Sequence, residues 1–196
     1  IDEYQDVNST QIELVDILNS KNVFCVGDPR QSIYGWRGSD IKYIINFEEK
    51  YPNADVITLT KNYRSTEHIV KLINNSIKNM GLPDLESEIG GEKDIKLLKF
   101  NSEQKEFEFI VQKIISSPLL REEIFVLART NRQLNDLSQM MKARGIRHVL
   151  RSDEMKRSIV AGKDEITLAT IHAIKGLEAE MVFVIGCSVI NFPCKG

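Results

Sequence analysis

Short apolar runs rich in β-branched residues alternate along this chain with segments whose apolar residues recur at helical spacing. That alternation restricts the fold more than any other feature. A run that is apolar at every position suits a strand covered on both faces, and helices are the usual cover. Residues 23–26, 56–59, 95–100, 124–128, 146–150, 166–169 and 181–185 read as strands. Between them, Ile12, Val15, Ile17 and Leu18 make one helical stripe, entered through a capping box at Thr10-Gln11-Ile12-Glu13. Ser39 or Asp40 caps a second helix carrying Ile41, Ile44, Ile45 and Phe47, which ends before Pro52. Ser65 or Thr66 caps a third, with Ile69, Leu72, Ile73 and Ile77. Phe107, Ile110, Val111 and Ile114 form a clean face on a fourth. Leu134, Leu137 and Met141 mark a fifth, stopped at Gly145. A further short helix is expected from His172 to Glu178. Segments 81–94 and 152–165 read as loops. Strands alternating with helices imply α/β architecture with parallel sheets, and a domain boundary is expected near Thr60.

The 196 residues allow one large or two small domains. A net charge of −2 means that any binding to nucleic acid runs through a local patch, not through overall basicity. The three cysteines, Cys25, Cys187 and Cys194, have no metal-ligand spacing, and two of them lie in apolar runs. This predicts a reduced, cytoplasmic protein with no membrane segment. The chain opens on Ile1 and closes on Gly196, each beside an expected strand, which predicts excision from a longer protein.

Polar clusters follow the strands. Gly27-Asp28-Pro29-Arg30-Gln31-Ser32-Ile33-Tyr34-Gly35-Trp36-Arg37-Gly38 carries an acid, a glutamine, two aromatics, two arginines and three glycines in one loop. A loop at the carboxyl end of a buried strand is where open α/β sheets bind ligands. Gln31 can donate and accept at once, which suits sensing a phosphate and its attacking water. Tyr34 and Trp36 beside Arg37 suit stacking on nucleic-acid bases; the alternative is a Trp36 tucked into the core as a loop anchor. Asp2-Glu3 can hold a hydrated magnesium and polarise water, or can simply be an acidic cluster favoured by the dipole at the N-terminus of the following helix. Arg64 either reaches a γ-phosphate or makes a surface ion pair. Thr170, His172 and Lys175 either bind phosphates or form an ordinary capped turn. His68 and His148 read as structural.

Taken in order, these clusters resemble the Rep/UvrD/PcrA-type superfamily I DNA helicases. Asp2-Glu3-Tyr4-Gln5-Asp6 is similar to the helicase Walker B motif, and the segment from Gly27 to Gly38 to the third motif, which couples ATP to DNA. Asn62-Tyr63-Arg64-Ser65 is similar to the fourth. Residues 170–178 with Met181-Val182-Phe183-Val184-Ile185-Gly186 resemble the fifth, and Phe192-Pro193 a turn common after it. The resemblance implies two RecA-like P-loop NTPase lobes with ATP between them, residues 1–60 ending the first and residues 61–196 forming the second. It implies that Asp2 binds Mg²⁺, Glu3 activates the water, Gln31 senses the γ-phosphate, Tyr63 stacks on adenine and Arg64 is the arginine finger. It places Glu178 near the ribose. It assigns Tyr34, Trp36, Arg37, His172, Lys175 and Gly176 to DNA. The implied partners are single-stranded DNA, single/double-strand junctions and repair or replication proteins, and the implied polarity is 3′ to 5′.

The sequence departs from the family pattern. No Gly-x-x-x-x-Gly-Lys-Ser/Thr occurs, so the phosphate loop is expected upstream of Ile1 and the sixth motif beyond Gly196. Many relatives insert a whole subdomain before the fifth motif, where this chain has only residues 152–165. The rival reading is a non-catalytic helicase-like domain that binds nucleic acid or a partner protein.

Overall fold

A computed structural model describes residues 1–91, 95–151 and 161–189. The loop assigned to 152–165 lies mostly outside the described residues, as do Phe192-Pro193 and Cys194. The chain divides into two compact units, Ile1–Leu97 and Leu98–Gly196.

The first unit opens with a 3₁₀ turn, Tyr4–Asp6, and α1, Ser9–Leu18. The capping box sits two residues earlier than the sequence suggests. Asn8 Oδ1 accepts from Gln11 N, and Gln11 Oε1 accepts from Asn8 N, both at 3.0 Å. Asn8 has the extended backbone a cap needs. Of the apolar stripe on α1 only Ile12 is buried; Ile17 and Leu18 face outward. Residues 23–26 are extended but form no regular buried strand. They pair with the chain start instead: Ile1 N donates to Phe24 O at 2.6 Å and Val26 N to Ile1 O at 2.9 Å. Two paired segments cannot cover both of their own faces, and Phe24 is 80% exposed. Residues 56–59 and 95–100 are likewise not strands; among the described residues neither pairs with another segment as a strand must.

The expected helix after Asp40 forms in two pieces broken at Asn46, α2 (Lys42–Ile45) and α3 (Phe47–Lys50). Tyr4, Val7 and Ile12 form the core here, with Cys25, Tyr43, Ile44 and Phe47 packed on it. Tyr4 meets Phe47 edge to face at 5.5 Å. A right-sized βαβ element ends the unit. The polar β1, Lys61–Thr66, pairs in parallel with β2, Glu86–Ile89, inside what reads as a loop, and α4, Glu67–Ser76, connects them. Asn74 secures the return by bonding both N and O of Leu85.

The second unit follows the sequence closely. α5 is Glu103–Ser116, β3 Ile124–Ala128, α6 Asn131–Ala143, β4 His148–Arg151, β5 Ile166–Thr170 and β6 Met181–Val184. The four strands form one parallel sheet in the order β4-β5-β3-β6. Strand side chains alternate between faces. Ile124, Val126 and Ala128 with Ile166 and Leu168 meet Phe107, Ile110, Val111 and Ile114 of α5 and Leu134, Leu137 and Met141 of α6. Phe125, Leu127 and Ala169 point the other way, toward Ile174 of the turn after β5. This is the α/β class, with a parallel sheet and flanking helices, that the alternation predicts. His148 is structural: its ring nitrogens meet Ser138 Oγ at 2.7 Å and Ile146 O at 2.8 Å.

Candidate functional site

The acidic pair stands where the chain turns sharply. Glu3 takes a left-handed backbone, φ 51°, rare for a side chain with a Cβ. Asp2 Oδ1 accepts from Glu3 N at 2.9 Å. Both acids are exposed. Behind them Gln5 is only 1% exposed. Its Nε2 donates to Glu3 Oε2 at 2.5 Å, and its Oε1 accepts from Asp28 N at 3.0 Å. Its carbonyl accepts from Ser32 Oγ at 3.3 Å. Gly27 is required where the two segments meet. A Cβ there would lie 2.6 Å from Gln5 Oε1, 2.9 Å from Ile44 Cδ1 and 3.0 Å from Tyr4 N. Burial raises the Tyr4 hydroxyl to about 12, with smaller contributions from Cys25 and other acidic neighbours. Burial also pushes up the Cys25 thiol.

Asp28 organises the loop that follows. Its Oδ1 accepts from Arg30 N at 3.0 Å and Arg30 Nη1 at 3.3 Å, and its Oδ2 accepts from Gln31 Nε2 at 3.1 Å. Arg30 also donates to Pro83 O. The structure therefore ties Asp2, Glu3 and Gln31 into one hydrogen-bonded neighbourhood. The aromatic part of the loop is a separate surface. Gly35–Arg37 is a 3₁₀ turn closed by Gly38 at φ 83°. The Arg37 guanidinium lies 4.5 Å from the Trp36 ring centroid and 5.1 Å from that of Tyr34. Trp36 is 61% exposed, which removes the core-anchor alternative.

Tyr63 and Arg64 lie on β1, and both are exposed. Asn62 Oδ1 accepts from Arg64 N at 3.0 Å and Ser65 N at 2.8 Å, which holds this backbone. In the second unit, residues 171–176 form successive turns and not the expected helix. Thr170 Oγ1 accepts from Ala173 N at 3.1 Å, and Gly176, at φ 88°, redirects the chain before helical bonds can propagate. His172 Nδ1 lies 3.0 Å from Arg129 Nη1. Lys175 is half-buried, while Gly176 and Glu178 are exposed. Gln5, Arg30 and Arg129 carry contacts that sequence reading missed. The signal for Gln5 was a lone amide among acids and apolar residues; Arg129 follows β3 at the same sheet end as the turn after β5.

The donor set around Asp2 suits a hard cation. Mg²⁺ takes one or two carboxylates and completes its shell with water and phosphate oxygens, and Asp2 is an exposed carboxylate held by backbone. Among the described residues there is no cluster of three or more His, Cys, Asp or Glu able to hold a metal by itself. Among the same residues no helix is long and apolar enough to cross a membrane.

The chain belongs to the UvrD-like helicase family. The family model of the UvrD/REP helicase N-terminal domain matches residues 1–52, and that of the UvrD-like helicase C-terminal domain matches residues 57–156. The chain is 42% identical over 150 residues to the ATP-dependent DNA helicase PcrA of Staphylococcus epidermidis, covering 71% of this chain and 20% of the relative. It is 41% identical over the same length and shares to the PcrA helicase of Staphylococcus aureus. The chain thus spans about a fifth of the length of these relatives.

Proposed function

We propose that this chain is part of a cytoplasmic ATP-dependent DNA helicase or translocase, carrying the end of the first RecA-like lobe (residues 1–60) and most of the second (residues 61–196). The lobe division is supported by the two family matches, which meet between residues 52 and 57. The observation that carries the reading is the bonded line from Glu3 through Gln5 and Asp28 to Gln31. It joins the residue suited to take a proton from water to the residue suited to sense a phosphate.

In this reading Asp2 holds Mg²⁺, which neutralises phosphate charge when bound. Glu3 accepts the proton of the attacking water. Gln31 orients that water. Tyr63 offers its exposed ring to adenine, Arg64 its guanidinium to the γ-phosphate, and Glu178 its carboxylate to the ribose. Tyr34, Trp36 and Arg37 stack on single-stranded DNA, and His172, Lys175 and Gly176 line its path. Lobe closure then moves the strand 3′ to 5′ and opens duplex at single/double-strand junctions, in company with repair or replication proteins. The test is Glu3→Gln in the full-length protein. The amide keeps the shape but takes no proton, so hydrolysis should fall by about 10²–10⁴-fold while ATP and DNA binding persist. Parental turnover would remove Glu3 as the base, whereas a full-length protein that binds DNA but hydrolyses no ATP would favour a non-catalytic nucleic-acid or protein-binding domain.

A further inference from the structure

We propose that Gln5 is a positioning residue for hydrolysis, holding the Glu3 carboxylate in place and transmitting the state of the Gln31 loop to it. The inference rests on the reading of Glu3 as the base. Gln5 is buried, yet both ends of its amide are used, and by partners from different segments. Nε2 donates to Glu3 Oε2, and Oε1 accepts from Asp28 N. A side-chain amide offers a donor and an acceptor side by side without a charge at any ordinary pH. Its orientation is dictated by the partners, since the reverse would set Oε1 against a carboxylate and Nε2 against an N–H donor.

The surroundings leave the amide little room to move. Gly27 packs so closely that a methyl there would intrude on Gln5 Oε1. Ser32 Oγ holds the Gln5 carbonyl from the far side of the same loop. Asp28 receives Gln31 Nε2 on its side chain while its own N–H is held by Gln5. A shift of Gln31 on engaging a phosphate therefore pulls on Asp28, and Asp28 pulls on the amide that orients Glu3. Glu3 is an exposed residue on a left-handed backbone, and a base must hold one rotamer to act.

The experiment compares Gln5→Met and Gln5→Glu with Glu3→Gln in the full-length protein, reading single-turnover ATP hydrolysis, ATP affinity and the pH profile of kcat. Gln5→Met removes both hydrogen bonds at similar volume. We expect kcat to fall about 10–100-fold with KM within about 3-fold of the parent. Gln5→Glu sets two carboxyl groups at hydrogen-bond distance, where they share one proton. The kcat profile should then acquire an ionisation that the parent lacks, which a merely structural role would not produce. Parental kcat in Gln5→Met together with a parental pH profile in Gln5→Glu overturns the inference. So does loss of folded protein or of ATP affinity in step with hydrolysis in both variants, which makes Gln5 a residue of the fold alone. An inactive Glu3→Gln beside parental Gln5 variants defeats this inference and leaves the base assignment standing; an active Glu3→Gln defeats both.

Discussion

Replacing Trp36 with Ala tests the aromatic turn most directly, because the structure separates its cost to the fold from its cost to binding. With 61% of the residue exposed, roughly 100 Å² of an indole residue of about 250 Å² is covered, worth at most about 2.5 kcal/mol at ~25 cal/mol per Å². Part of that cover is Arg37, itself on the surface of the turn, and Arg37 keeps its contact with Tyr34 when the indole is gone. A stacked base contributes about 1–3 kcal/mol, so single-strand Kd should rise about 5- to 150-fold at 1.4 kcal/mol per tenfold. The indole carries no charge, so the slope of log Kd against log salt should not change. Arg37→Ala should instead lower that slope by about 0.7, the share of one phosphate contact on a single strand. Fluorescence anisotropy with labelled oligonucleotides, over a salt series and on mixed and homopolymer sequences, reads all of this in the full-length protein. Unchanged affinity per folded molecule in Trp36→Ala, accompanied by a lowered Tm, would refute the stacking role.

Two further outcomes follow from the geometry. Arg64→Ala in the full-length protein should lower kcat by about 10³-fold or more with a much smaller effect on nucleotide affinity; a parental turnover rate leaves Arg64 a surface residue and withdraws the support of β1 for a two-lobe active site. Burial pushes the Tyr4 hydroxyl up to about 12 from its ordinary 10.0. A raised folded value means that its stabilising contribution is complete below pH 10 and is lost as pH rises from 10 to 12, by about 2–3 kcal/mol at 1.36 kcal/mol per unit. Denaturant midpoints across that window should fall in the parent and fall less in Tyr4→Phe; equal slopes would show that the ring does not control alkaline unfolding.

The sheet and the two long helices of the second unit were legible because their signals are local and agree. The faces of α5 and α6 and the runs at β3 and β5 name their own partners, since each apolar stripe matches a strand face of the same unit. Asp2, Glu3, Gln31, Trp36 and Arg64 stood out through the order of their motifs, which resembles that of a helicase family; taken singly, Asp2-Glu3 and Arg64 read equally as ordinary surface charge. Tertiary structure decided the rest. A strand exists only where another segment meets its hydrogen bonds, so the apolar residues 56–59 and 95–100 pair with no strand among the described residues, while the polar β1 becomes a strand because α4 returns β2 beside it. The turn after β5 follows Gly176 and the Thr170 cap and not helical periodicity. Above all, nothing in the order of residues states that Gln5 faces Glu3 on one side and Asp28 on the other. That contact spans 23 positions and forms only because Gly27, having no side chain, lets the two segments close to hydrogen-bond distance.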